Sequence, residues 1–218
     1  MLNLLTVIFG LTMLYMVSSS RIKAQINMLK FQGIILCSIV LIAHAEENIL
    51  ALCFLLLETF IVKAVVIPWF LTMVSDKNNI KRDNNPQFPN FYTLVISSLI
   101  LFGGFLIANI HSEYLVNISN LYFGIAISAI ITSFVFIAVK KKLLTHVIGF
   151  VMLENGIFLL SLSVAKGMPM IVNLGVLLDI FVAVFILGLL VAEIGHIYEN
   201  PSVASLCNLK ENESKQDE

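Results

Sequence analysis

Three observations predict an all-α membrane protein with seven transmembrane helices, its N-terminus outside and its C-terminus in the cytoplasm. Of the 218 residues, 59% are apolar and only 12% are charged, against roughly 45–50% and 25% in soluble domains. Mean hydropathy is +0.96. The apolar surplus is gathered into blocks as long as a bilayer is thick, and the polar connections between those blocks alternate in charge.

A spanning helix needs roughly 20 mostly apolar residues, because ~30 Å of hydrocarbon is crossed at ~1.5 Å per residue. Seven blocks meet this requirement: residues 2–18, 28–43, 49–74, 91–110, 118–139, 143–165 and 171–194. The first has no Lys or Arg before its apolar run, whereas Arg21 and Lys23 follow it. That order opposes a cleaved signal peptide and favours a retained helix. From there, alternate connections hold Arg21, Lys23 and Lys30; Lys77, Lys81 and Arg82; Lys140, Lys141 and Lys142; and Lys210 and Lys215. The opposite connections carry Lys166 beside Glu46, Glu47 and Glu113. Basic residues gather on the cytoplasmic side of membrane proteins, which orients the chain and supports an odd number of spans. Residues 1–198 then form a single transmembrane domain and 199–218 a short polar cytoplasmic tail.

The remainder of the sequence excludes several function classes. Thirteen Lys and Arg against 14 Asp and Glu give a net charge of −1, which offers nucleic acid no electrostatic footprint. Cys37, Cys53 and Cys207 form no CxxC, and a structural zinc or cysteine-ligated iron–sulfur site needs about four convergent ligands. GxxxxGK[ST], GxGxxG and HExxH are absent, so nucleotide and metalloprotease chemistry have no footing. Connections this short hold no soluble catalytic domain. The sequence therefore predicts no catalytic residue, no metal and no cofactor of its own. Asn117-Ile118-Ser119 is a glycosylation sequon by pattern alone.

The informative residues are the ionisable ones deep inside the spans: Glu58 and Lys63 in the third, Glu154 in the sixth and Asp179 in the seventh. At ~1.5 Å per residue Glu58, Glu154 and Asp179 lie roughly 12–17 Å from the span edges, near the midplane. An ionised group there costs at least ~2.5–3.5 kcal/mol, so these groups are expected to face one another, a partner subunit or water. Two readings remain open: charges that lock helices together, or a relay of groups that exchange protons. Glu58 and Lys63 fall ~140° apart on an α-helix and make a poor internal pair, which leaves Glu154 or Asp179 as the better partner for Lys63. Pro68 removes a backbone hydrogen bond and clashes with the Ala64 carbonyl, predicting a kink beside Lys63. In the sixth span Asn155 follows Glu154, and Gly149 and Gly156 fall near one face where another helix can approach closely. Glu193 sits near the cytoplasmic end of its span and reaches the headgroups.

The run Lys140-Lys141-Lys142-Leu-Leu-Thr-His-Val-Ile148-Gly149-Phe150-Val-Met-Leu-Glu154-Asn155-Gly156 resembles hydrogenase-4 component E, as do Gly175 to Val184 with Asp179, Ile61 to Pro68 with Lys63, and Leu206 to Lys210. The resemblance covers essentially the whole chain. It implies a non-redox membrane-arm subunit of an energy-converting nickel–iron hydrogenase of the formate hydrogenlyase type, in a prokaryotic cytoplasmic membrane. The C-terminal half is similar to the small subunit K of respiratory complex I and to the C subunit of multisubunit cation/proton antiporters. In those relatives a buried Glu stands three positions earlier, at Val151 here, and a second stands at Ala183, one turn after Asp179. The implied partners are large antiporter-like membrane subunits and a nickel–iron hydrogenase module that carries the redox chemistry. The implied relay is Glu154, Asp179, Lys63 and Glu58, supported by Asn155, Gly149, Gly156 and Pro68. The competing expectation is a structural anchor of such a complex, or of a cation/proton antiporter, whose charges only dock helices.

Overall fold

The computed structural model describes residues 1–43, 53, 56–57, 59–77, 89–110 and 120–164, all within one compact unit, Met1–Val182. Ordered elements among the described residues are helical: α1 (Leu2–Ser18), α2 (Ile22–Ala43), a π-helix (Thr59–Val66) that runs directly into α3 (Ile67–Lys77), then α4 (Asn90–Ile110), α5 (Asn120–Val139) and α6 (Leu143–Val164). Five of these rods are long and apolar enough to cross a membrane, and α1 is a shorter apolar helix. The seventh predicted span, the 199–218 tail, Glu58, Asp179 and Glu193 lie outside the described residues.

The packing is that of a bundle with α6 inside it. α5 and α6 share the largest interface, followed by α4 and α5; α2 lies against α1, the π segment, α3 and α6. α2 shows why these residues form a docked helix. Ile22, Gln25, Ile26, Leu29, Gln32, Leu36, Ile39 and Val40 are buried, at the three- and four-residue spacing of one helical stripe. Its other side presents Phe31, Ile34 and Leu41 outward. α4 goes further, with Leu99 65% and Phe102 60% exposed; apolar surface on this scale is suited to hydrocarbon rather than water.

The start of the second helix and the course of the third block differ from expectation. The second helix begins at Ile22 rather than at 28, so Lys23 and Lys30 are helical. Polar side chains in its first turns mimic a loop in sequence, but Gln25 and Lys23 each have a task. Gln25 Nε2 donates to the carbonyls of Met16 and Ser19, 3.3 and 2.7 Å away, satisfying acceptors at the C-terminus of α1 that lack helical donors. Lys23 pairs with Asp76 of α3 at 2.7 Å, on an exposed edge, where such a pair contributes only about 0–1 kcal/mol.

Ahead of Pro68, beside the position of the expected kink, the structure has a wider turn. The π-helix ends at Val66 and α-helix resumes at Ile67. A five-residue hydrogen-bond step fits a chain whose proline lacks an N–H and crowds the carbonyl four residues back. An α-helical angle count such as the one made for Glu58 and Lys63 does not hold across this segment.

Contact between α2 and the π segment depends on Gly33. A Cβ built there would stand 2.9 Å from both the Cα and the amide nitrogen of Ala64, which is backbone and cannot move aside. Gly103, by contrast, faces open space. Gly33→Val is expected to destabilise the bundle by about 1–3 kcal/mol through overpacking. Gly103→Ala is expected to be neutral or to stabilise by up to ~1 kcal/mol. Unfolding of the detergent-solubilised protein, followed by circular dichroism, checks both.

Candidate functional site

Glu154 stands midway along α6, ten residues before its last residue, Val164. That helix has no polar stripe: Val151, Met152, Asn155, Gly156, Phe158 and Leu159 around the carboxylate are all buried. A helix apolar on every side belongs inside a protein, and a carboxylate on it must be answered from another element. Lys63, on the π segment, answers it. Its Nζ lies 2.8 Å from Glu154 Oε1, and both side chains are 1% exposed. The same Nζ sits 4.3 Å from the ring centroid of Phe158, one helical turn after Glu154.

The electrostatics favour pairing. Separating two unit charges held this close costs several kcal/mol even at the effective dielectric of a protein interior, and neither group reaches water to be solvated. A buried pair is nevertheless not a net source of stability, because desolvating both ions offsets their attraction. It acts as a constraint: each charge makes the other obligatory. Glu154 Oε2 has no hydrogen-bond donor among the described residues.

Beside the pair runs a second polar array. Asn155 Nδ2 donates to Gln32 Oε1 at 3.2 Å, Gln32 Nε2 donates to Thr12 Oγ1 at 3.0 Å, and Thr12 Oγ1 donates to the Phe9 carbonyl at 2.6 Å. The chain ties α6 to α2 and α2 to α1 through groups that are nearly or fully buried. Gln32 precedes Gly33, where an added Cβ would meet the Lys63–Ala64 backbone, so the amide array and the ion pair adjoin across α2.

Of the residues singled out in sequence, Lys63 and Glu154 meet directly, Asn155 joins the array next to them, and Pro68 is buried at the start of α3. Gly149 faces Phe136 and Ile137, and Gly156 faces Ala129 and Ile130, so both pack on α5. Glu58 and Asp179 lie outside the described residues. Lys140, read as a cytoplasmic loop residue, is 2% exposed with its Nζ 5.3 Å from the Phe136 ring centroid. Its stem turns back over apolar surface as long cationic side chains do. Sequence reasoning passed over Gln32, Thr12 and Phe158. Gln32 carried a usable signal, being an amide in the middle of an apolar block. Among the described residues no three His, Cys, Asp or Glu side chains converge on a metal site.

Replacing one member of the pair is expected to cost about 3–5 kcal/mol by stranding the other charge, whereas Lys63→Met with Glu154→Leu together costs far less. A double-mutant cycle on thermal unfolding in detergent measures this. Additive single and double values would show that the two side chains do not interact.

No family model matches the chain, and no solved structure matches it. It is similar to an uncharacterized protein of Mycobacterium tuberculosis, Rv0085, at 26% identity over 198 residues, with 87% of each chain covered.

Proposed function

We propose that this chain is a seven-span, N-outside membrane subunit without a redox centre, belonging to an energy-converting hydrogenase of the hydrogenase-4 or formate hydrogenlyase type in a prokaryotic cytoplasmic membrane. In this role Glu154 and Asp179 are protonatable stations of a transmembrane proton path, Lys63 is the cation that tunes or accepts their charge, and Glu58 extends the relay. Nickel–iron chemistry takes place in partner subunits, and large antiporter-like subunits flank the chain in the bilayer.

The observation that carries this reading is the ion pair between Lys63 and Glu154, fully buried and halfway along a spanning-length helix. Intramembrane ionisable groups are costly, and pumps and transporters retain them as relays. Oε2 of Glu154, which has no hydrogen-bond donor among the described residues, supplies a lone pair that can take up a proton. The amide array supports the neighbouring expectation, docking, for its own residues only: Asn155, Gln32 and Thr12 hold helices together and carry no ionisable group.

The test is reconstitution of the intact membrane complex in sealed vesicles. Glu154→Gln is expected to lower coupled proton uptake by roughly a hundredfold, the low end of what losing a positioned proton-transfer group costs, while the subunit still co-purifies. Lys63→Ala is expected to impair coupling in the same way. Wild-type coupling in Glu154→Gln rejects the relay, and loss of co-purification alone assigns the pair to assembly. Orientation is checked in intact cells after replacing Cys37 and Cys53 with serine. Cys207 in the tail is expected to resist an impermeant maleimide until the membrane is opened, whereas a cysteine added at the N-terminus reacts at once.

A further inference from the structure

Hydroxyl groups on α4 and α5 fall into two classes. Ser98 on α4 and Ser128 and Ser133 on α5 donate to the carbonyl four residues back, at 2.9, 2.7 and 2.7 Å, a bond that hydroxyls inside helices readily make. Thr93 and Ser97 on α4 and Thr132 on α5 do not. Their oxygens are buried with no hydrogen-bond partner among the described residues, on side chains 2%, 0% and 0% exposed. A hydroxyl both donates and accepts, and one shut away from bulk solvent is satisfied by protein or by ordered water.

The register of the helices sets these three groups on a course toward Glu154. Ile100 meets Ser128 and Gly104 meets Gly124, so α4 and α5 are antiparallel and Ser97 is level with the turn that bears Thr132. A Cβ at Gly156 would meet Ala129 and Ile130, and one at Gly149 would meet Phe136 and Ile137, which sets Glu154 opposite that same turn. At ~100° per residue Thr132 lies about 40° from Ser128, which touches α4, and about 60° from Ala129, which touches α6. It therefore sits at the seam between the two neighbours. Measured from the end where α4 begins, α5 ends and α6 begins, Thr93 stands roughly 4–5 Å deep, Ser97 and Thr132 roughly 10 Å, and Glu154 roughly 16 Å. At the far end of this course Glu154 Oε2 and Asn155 Oδ1 are likewise buried without a hydrogen-bond partner among the described residues.

We propose that Thr93, Ser97 and Thr132 hold a file of ordered waters leading from the Lys140–Lys142 end of the bundle to Glu154 Oε2. A hydronium ion of the bulk phase at that end supplies the proton. Each water in the file forms one O–H bond as it gives up another, and the last gives up the O–H bond that forms anew on the carboxylate. The use of the file in proton movement rests on the function proposed above.

The experiment separates the two. Full-length protein with isotope-labelled Ser, Thr and Glu is placed in liposomes, and magnetisation transfer from water protons is followed by solid-state NMR. Transfer is expected to reach Ser97, Thr132 and the Glu154 carboxyl carbon several times faster than Ser133, which is equally buried but committed to the Ala129 carbonyl. Transfer to Ser97 and Thr132 no faster than to Ser133 overturns the file, and that comparison is made on the unsubstituted chain. Thr132→Val keeps the shape of the side chain and is expected to slow transfer to Glu154, whereas Thr132→Ser preserves it. In the reconstituted complex Thr132→Val is expected to lower coupled proton uptake roughly five- to tenfold, the equivalent of about one hydrogen bond. Unchanged uptake together with unchanged transfer to Glu154 in that variant also overturns the file. Fast water transfer with wild-type coupling in Glu154→Gln rejects the proposed function and keeps the file, whereas slow transfer with impaired coupling in Glu154→Gln rejects the file alone.

Discussion

A charge that cannot reach water must find its opposite inside the protein, and the arrangement of helices around Glu154 follows from that requirement. α6 is the most enclosed of the spanning-length helices among the described residues, so its mid-length carboxylate has no route to a headgroup by bending its short stem. The answering cation has to be brought to it on another helix, at the same depth, and on a stem long enough to span the gap. Lysine meets the last condition. The π segment and the glycine contact at Gly33 meet the others: α2 lies against both the π segment and α6, and a side chain at position 33 would push the segment that bears Lys63 away. The tight glycine contact, the widened turn and the buried pair are thus parts of one solution.

The amide array solves a different problem with similar materials. Without a hydrophobic drive between helices in lipid, association depends on close packing and on interhelical hydrogen bonds. Asn155, Gln32 and Thr12 link three helices end to end, each donating to the next, and the series closes on a backbone carbonyl. Gln25 performs the equivalent task at the turn between α1 and α2, where it donates to two carbonyls at the end of α1, those of Met16 and Ser19. Gln25 and Gln32 are one heptad apart on the buried stripe of α2, so a single helix face carries both fastenings.

How much of this was legible in sequence depends on what kind of signal each part leaves. The blocks at 91–110 and 143–165 coincide with α4 and α6 to within a residue, because a run of apolar side chains in a membrane helix is its own boundary marker. The start of α2 was hidden for the converse reason: Lys23 and Gln25 are polar, and only their partners, on α3 and at the end of α1, show why a helix accommodates them. The π segment leaves no periodic trace in a block that is apolar throughout, and Pro68 alone hinted at a disturbance. Lys63 was narrowed to two partners, of which Glu154 is the one in contact; Asp179 and the seventh block lie outside the described residues. Gln32, Thr12 and Phe158 went unnoticed because uncharged groups in a spanning block cost little enough to be passed over one at a time. Their meaning comes from being brought together.

Ion pair and amide array also differ in what they allow to change. The amide chain resists rearrangement: turning the Gln32 amide alone would face its Nε2 with Asn155 Nδ2, donor with donor, and it carries no ionisable group. Its anchor on α6 is Asn155, the residue immediately after Glu154, which pins the backbone at the carboxylate. Lys63 is held differently. Its backbone belongs to a π turn, whose hydrogen bonds are poorer in geometry than those of an α-helix, and its ammonium ends a stem of four methylenes lying between a carboxylate and a ring. Any redistribution of charge at this site therefore has its slack on the lysine side, while α6 supplies the fixed frame against which the cation moves.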